Sequence, residues 1–295
     1  MSSDDPEDLS TRRLVAPVAA ERAVRLKEGH LAVVEGPDRG RRFVFKSPGV
    51  RIGKSRDNDI VLTDDTVSKH HLSIEDTPWG FLLRDLQSTN GPGDTLTLTV
   101  DYHGDPPTDP SGFGGFYTLS NYQYDLGVAF DAIPHSYGRA WFPCFDNFVE
   151  RCTFDFLVRT NGDRTVFANG LLLGVVDLGG GEHISHWRIN EPIPSYLASV
   201  AAGNYVAVRD TFPSVSGAGI PVVLAALPAD TTDMKNSFIH LPNAFATFEH
   251  WFGPYRWERV GYVLTSAGAM EHATNICYPD FAADGTLADE AHAIG

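Results

Sequence analysis

A mainly β chain made of two unlike parts is what this sequence predicts, and three observations carry that prediction. Short alternating or apolar runs (HLAVVEG, RRFVFK, VRIGKS, DIVLTD, HLSIED, GFLLRDL) recur between Gly, Pro, Asp and Asn. Their spacing, roughly ten residues, is that of successive strands in a sandwich. Clear helical spacing marks one stretch, where Met234, Phe238, Leu241, Ala244, Phe245 and Phe248 fall three and four apart between Thr231 and Trp251. The mixed pattern of Arg13–Lys27 leaves a short helix or an extended segment open. The third observation is a step in charge near Gly91. Residues 1–91 hold 14 Lys and Arg against 15 Asp and Glu, and residues 92–295 hold 9 against 23. A shift of that kind marks a boundary between domains.

Bulk composition narrows the function classes. With 295 residues, 42% hydrophobic and 21% charged, the chain can bury two ordinary cores. It has no run of eighteen apolar residues, which excludes a transmembrane helix. The start, MSSDDPEDLSTRRL, is acidic where a secretory signal is basic and then apolar, so a cytoplasmic location is predicted. Residues 1–28 read as a polar leader, with Thr11 open to a kinase in LSTRR. Cys144, Cys152 and Cys277 are too few and too scattered for a disulfide framework or a four-thiolate metal site. A net charge of −15 repels phosphate backbones, so neither nucleic acid nor a membrane surface is expected as a partner.

Between residues 29 and 91 the polar residues gather at turns. Lys54, Ser55 and Arg56 follow Gly53; Ser68, Lys69, His70 and His71 follow Val67; Ser88, Thr89, Asn90 and Gly91 follow Leu86. Loops at one end of a rigid sandwich are a common place for a binding site. Cations, hydroxyls and an amide together suit a dianionic phosphate, whose oxygens take charge-assisted hydrogen bonds. The string RIGKSRDNDIVLTDDTVSKHHLSIEDTPWGFLLRDLQSTNG, with its IG, S-x-x-H and S-T-N-G landmarks, resembles the forkhead-associated (FHA) family. That resemblance implies a phosphothreonine-peptide binding module of bacterial-regulator type. In it Ser68 would bond the phosphate and Lys69 flank it, Thr89 and Asn90 would hold the peptide backbone, and Gly53 and His71 would support the loops.

Two departures from that family stand out. Lys54 occupies the place of the usual Arg, keeping the charge and losing the bidentate fork, so Arg56 becomes a candidate phosphate ligand. After S-T-N-G the family's last strands are absent, and the sequence runs directly into PGDTLTLTVDYHG. A truncated sandwich with an open edge is the expectation.

From residue 92 onward, DTLTLTVDYHG, RCTFDFLVRT and TVFANGLLLG alternate as strands, GGG at 179–181 reads as a hairpin turn, and YRWERVGYVLT returns to strand after the helix. WFPCFDNFVERCTFDF, ANG, EPIPSYLASVAAGNY, FGPYRW and GAMEH, in that order, resemble the aminopeptidase N family of zinc peptidases. The resemblance implies a β-rich N-terminal domain over 92–210, then the start of a thermolysin-like α/β catalytic domain over 211–295. GAMEH stands for the family's G-x-M-E-N loop. There Glu271 would grip a peptide's free α-amine, with Gly268, Ala269 and Met270 lining the substrate and His272 in place of the common Asn. The family's chemistry uses zinc held by H-E-x-x-H. That motif does not occur in these 295 residues, so no catalytic residue, metal ligand or cofactor is assigned to this chain.

Lesser signals carry little. His183 and His186 point to opposite faces of a strand, DEAH at 289–292 lacks the context of a motor or cofactor box, and Cys144 and Cys152 read as packing residues. The function expected is a phosphothreonine-peptide binding module fused to a catalytically incomplete aminopeptidase N-like segment. The alternatives are a fragment of a zinc aminopeptidase that is active only if an H-E-x-x-H region follows, and a spliced or misassembled frame without selected activity. Peptide amino termini are possible partners.

Overall fold

The computed structural model describes residues 29–33, 36–46, 48–77, 80–86, 88 and 98–286. Its first part has strands β1 (Gly29–Val33), β2 (Arg42–Phe45), β3 (Gly49–Gly53), β4 (Ile60–Val61), β5 (Leu72–Thr77), β6 (Gly80–Asp85) and β7 (Leu98–Asp101). They form two sheets, ordered β2-β1-β7 and β4-β3-β5-β6. Alternation drives the strands together: in β3, Val50 and Ile52 are buried while Arg51 is exposed. Leu31 and Phe45 from one sheet meet Val50, Ile52, Ile74 and Phe81 from the other in one core. The Phe45 and Phe81 rings lie 5.3 Å apart across it.

This arrangement differs from the expectation in one respect that matters. The strand expected to open the second part, within DTLTLTV, is β7, and it pairs antiparallel with β1 with Leu31 opposite Val100. Val100 packs against the sandwich core. Alternation identified a strand there but not its neighbour, because any strand with one apolar face can serve any sheet that needs one. A second junction lies at β6, where Leu83 N donates to Cys144 O at 2.9 Å and Leu82 forms a parallel bridge with Cys144. Cys144 is buried, as a packing residue should be, whereas Cys152 is exposed.

The rest of the chain contributes β8 (Gly115–Thr118), β9 (Tyr122–Leu126), β10 (Arg151–Asn161), β11 (Thr165–Ala168), β12 (Leu171–Gly179), β13 (Glu182–Pro194) and β14 (Val200–Gly203). They make sheets ordered β11-β14-β9-β8 and β10-β13-β12. Gly179, Gly180 and Gly181, all at positive φ, form the turn between β12 and β13. A buried ion pair fixes the WFPCFD stretch. Arg139 Nη1 donates to Asp146 Oδ2 at 2.7 Å, and Asp146 also accepts from Gly138 N, Arg139 N and the Ser195 hydroxyl. With every oxygen satisfied, such a pair can be buried.

A mixed sheet completes the described fold: β15 (Val206–Pro213), β16 (Gly219–Ala226), β17 (Val260–Thr265) and β18 (Ile276–Pro279). β16, β17 and β18 run parallel and β15 antiparallel. Between β16 and β17 lie α1 (Thr231–Ser237) and α2 (Leu241–Phe252). The single helix expected over 231–251 is therefore two, and Pro242 sits in the first turn of α2, where its missing N–H costs nothing. Both faces of the sheet are covered, as parallel strands require. Val222, Leu224 and Tyr262 face Met234 and Phe245 of the helices, while Val223, Val263 and Cys277 pack on the Tyr124–Trp187 core of the preceding sheets. No helix of the described residues is long and apolar enough to cross a membrane.

Candidate functional site

At one end of the first sandwich, two loops are zipped by backbone hydrogen bonds. Lys54 N donates to Ser68 O and Ser55 N to Lys69 O, each at 2.9 Å. Asn58 Nδ2 reinforces the closure, donating to Ser55 O at 2.9 Å and Lys69 O at 2.6 Å. Gly53 is required there, because a Cβ would collide with the Lys69 carbonyl oxygen. His71 supports the pair: its N donates to Ile52 O, and its Nδ1 accepts from Ser68 N. Four predicted residues are thereby brought together. Ser68 is buried, Lys54 half-buried, and Lys69 and Arg56 exposed. Lys54 Nζ donates to Asp65 O at 3.1 Å and lies 3.5 Å from Asp65 Oδ1. Thr89 and Asn90 lie outside the described residues.

The second cluster is the loop between β17 and β18. Gly268 has φ +51, and its Cα lies under the Phe113 ring, so that a Cβ would collide with the ring. Met270 is buried and pairs with Cys277 through Met270 N to Cys277 O at 3.0 Å and the reverse bond at 3.1 Å. Ala269 and Glu271 alternate with it and are exposed. Polar side chains from other elements hold the loop's far end. Asn169 Nδ2 donates to Ala273 O at 2.6 Å and Leu197 O at 2.8 Å, while its Oδ1 accepts from Ser199 N. Gly170 N donates to Thr274 Oγ1 at 2.6 Å. Arg259 Nη2 donates to Ala168 O and Thr274 O, and its guanidinium stacks 4.6 Å from the Trp187 ring centroid. Burial lowers the Arg259 pKa to about 9, which leaves it charged at neutral pH. Beside Glu271 opens a cleft of about 910 Å³ whose walls include Leu197, Phe248, Phe252 and Trp257.

His272 is fully buried and anchors the loop to β9. Gly127 N donates to its Nε2 at 3.2 Å, and Asp125 Oδ2 lies 3.5 Å from the same atom. A nitrogen that accepts a hydrogen bond carries a lone pair, so the pair is not an ion pair. Burial pushes the His272 pKa down to about 3 and the Asp125 pKa up to about 7, even though Asp125 accepts from Val200 N at 2.8 Å. Between pH about 3 and about 7 burial favours a neutral imidazole beside a neutral carboxyl.

Comparison with known proteins agrees with this division. Residues 32–95 match the family model described as the inner membrane component of T3SS, cytoplasmic domain. The transcriptional regulatory protein EmbR of Mycobacterium tuberculosis is 44% identical over 52 residues, covering 18% of this chain and 13% of EmbR. Aminopeptidase B of Rattus norvegicus is 29% identical over 121 residues, covering 41% of this chain and 17% of its own length. Among solved structures, a mutant M1 zinc metallopeptidase from Deinococcus radiodurans bound to a Tyr-Ser-Ala substrate superposes with a TM-score of 0.60. It is 19% identical and matches over 92% of this chain and 54% of its own. The chain joins an FHA-like domain to an M1 aminopeptidase-like fold. Legionella pneumophila aminopeptidase A in complex with aspartic acid shares that fold at a TM-score of 0.57 and 17% identity, over 88% of this chain and 27% of its own. The chain thus spans under two thirds of each of these relatives.

Zinc does not fit the described residues of the M1-like segment, which offer no group of three or more His, Cys, Asp or Glu able to hold a metal. His183 Nε2 is engaged by Thr160 Oγ1 and Arg164 O, and His186 Nε2 by Asp155 Oδ1. Asn169, Arg259, Asp125 and Asp65 do not stand out in the sequence as site residues. Asn169 lies in the ANG landmark and Asp125 is the one acid in an apolar strand, whereas Arg259 and Asp65 give no signal.

The Asp125–His272 pair predicts opposite pH slopes for two variants. In the wild type, between pH ~4 and ~6.5, the unfolded chain has the proton on His and the native state has it on Asp, so the pair contributes no slope. In Asp125→Asn the remaining His272 has a depressed native pKa, so stability is full above pH ~6.5 and falls as pH drops towards 3. In His272→Asn the remaining Asp125 has a raised pKa, so stability is full below pH ~4 and falls as pH rises through 7. Each slope approaches ~1.4 kcal/mol per pH unit, measured by urea unfolding from pH 3.5 to 8. Parallel pH profiles for the two variants would refute the assignment.

Proposed function

We propose that this chain reads phosphothreonine-containing peptides at the zipped loops of its FHA-like domain. The observation that supports the reading is the pair of backbone bonds Lys54 N to Ser68 O and Ser55 N to Lys69 O, which holds side by side the two loops that carry the Ser68 hydroxyl and the Lys54 and Lys69 side chains. A phosphate dianion placed there takes a hydrogen bond from Ser68 and charge-assisted bonds from Lys54 and Lys69, with Arg56 in reserve at the rim. Thr89 and Asn90 supply the peptide-backbone contacts on this reading. Lys54 acts as a point charge, so affinity rests on several partners rather than on one bidentate fork. A degenerate peptide pool with a fixed central phosphothreonine should bind, and its unphosphorylated counterpart should not. Replacing Lys54 with Ala or Ser68 with Ala should weaken binding by about 10- to 100-fold. Equal or absent binding of the two pools in calorimetric titration refutes the reading.

A second reading, the recognition of peptide amino termini, rests on Glu271. An exposed carboxylate stands on a loop whose neighbours are pinned from both sides, beside an apolar cleft. A carboxylate in that setting can pair with a peptide's α-ammonium without any metal. The reading is one of binding, and the described residues offer no ligand set for zinc. Leucyl and phenylalanyl peptides with free amines should bind the wild type more tightly than Glu271→Gln, and their N-acetylated forms should not distinguish the two proteins. Acetylation that leaves binding unchanged would rule out this role for Glu271.

A further inference from the structure

The turn after β4 places a carboxylate on the ammonium group assigned to the phosphate. Lys54 Nζ is held by the Asp65 backbone carbonyl at 3.1 Å and has Asp65 Oδ1 at 3.5 Å. The Asp65 side chain is fully exposed and that of Lys54 is 38% exposed. The other acids nearby are engaged in building the loops. Asp59 Oδ2 accepts from Arg51 N at 2.8 Å. Asp64 Oδ1 accepts from Thr66 N at 2.9 Å and Thr66 Oγ1 at 2.6 Å. Asp57 bonds Ser55 and lies 3.7 Å from His70 Nε2. The ion pair that Asp65 makes with Lys54 is exposed and supports no buried group. Its net worth to the fold is small.

We propose that Asp65 is a built-in competitor that restricts the site to dianionic phosphate. This inference rests on the phosphothreonine reading and specifies the anion that the site admits. In the free protein the Asp65 carboxylate offers Lys54 one negative charge. An incoming carboxylate, such as a Glu standing in for phosphothreonine, only exchanges one monoanion for another at Lys54 and gains nothing to offset the displaced pair. A phosphate with close to two charges at neutral pH outbids Asp65 for the ammonium. The backbone carbonyl of Asp65 keeps Nζ in place throughout, so displacing the side chain does not cost Lys54 its position.

Asp65→Asn separates the two effects, because it removes the charge and leaves the carbonyl. Three versions of the degenerate pool, with phosphothreonine, Thr or Glu at the centre, are titrated against the wild type, Asp65→Asn and the exposed control Asp163→Asn. Asp65→Asn should bind the phosphothreonine pool about three- to tenfold more tightly than the wild type, with the gain shrinking in high salt. It should also acquire measurable binding of the Glu pool, which the wild type rejects, and Asp163→Asn should match the wild type. Unchanged or weaker phosphothreonine binding by Asp65→Asn, or the same gain in Asp163→Asn, overturns the competitor role while leaving the phosphothreonine reading intact. A wild type that treats the phosphothreonine and Thr pools alike overturns that reading and this inference with it.

Discussion

Unpaired backbone at a sheet edge is the constraint on which this structure depends. Strands β1 and β6 of the FHA-like sandwich would each expose a row of N–H and C=O groups if nothing lay along them. The chain that follows covers both. β7 lies along β1 in register from His30 to Val33, and the Cys144 segment meets β6 at Leu82 and Leu83. The FHA-like domain is therefore hydrogen-bonded to the M1-like fold rather than tethered to it. The same contacts give Val100 a core to pack against. Loops 53–56 and 67–70 are zipped at the end of strands that this closure keeps in place.

Within the M1-like fold, a comparable principle operates on buried polar groups. The loop carrying Glu271 has no regular ladder of its own beyond the Met270–Cys277 bridge. Its carbonyls are instead taken by Asn169 and Arg259, and His272 takes the amide of Gly127. Each of these side chains is buried and would be costly there without its partners. Together they fix a loop on which Ala269 and Glu271 face outward on either side of buried Met270, so the exposed carboxylate is presented on rigid backbone.

Much of this was legible in the sequence, and the reasons for success and failure are local. The alternation in VRIGKS and HLSIED read correctly as strands because one face of each is buried. GAMEH drew notice only through its likeness to the G-x-M-E-N loop, and the glycine under the Phe113 ring and the outward-facing acid emerge only in the folded chain. The destination of DTLTLTV was not legible, since alternation specifies a face and not a neighbour. The break between α1 and α2 was blurred by apolar residues that keep helical spacing across it, and Pro242 was the cue for a new start. Arg259 and Asp65 gave no signal because their roles arise from carbonyls and an ammonium that only the folded chain brings near.

Closure of the sandwich is tested most directly by hydrogen–deuterium exchange on the intact chain, read by mass spectrometry over β1, β5, β6 and residues 98–101. If β7 and the Cys144 segment close it, the alternate amides of 98–101 that face β1 and the amide of Leu83 should be protected together with those of β5 and should open with them as denaturant is added. Exchange at 98–101 and Leu83 as fast as in unfolded chain, while β5 stays protected, would show that the sandwich is left open and would contradict the closure.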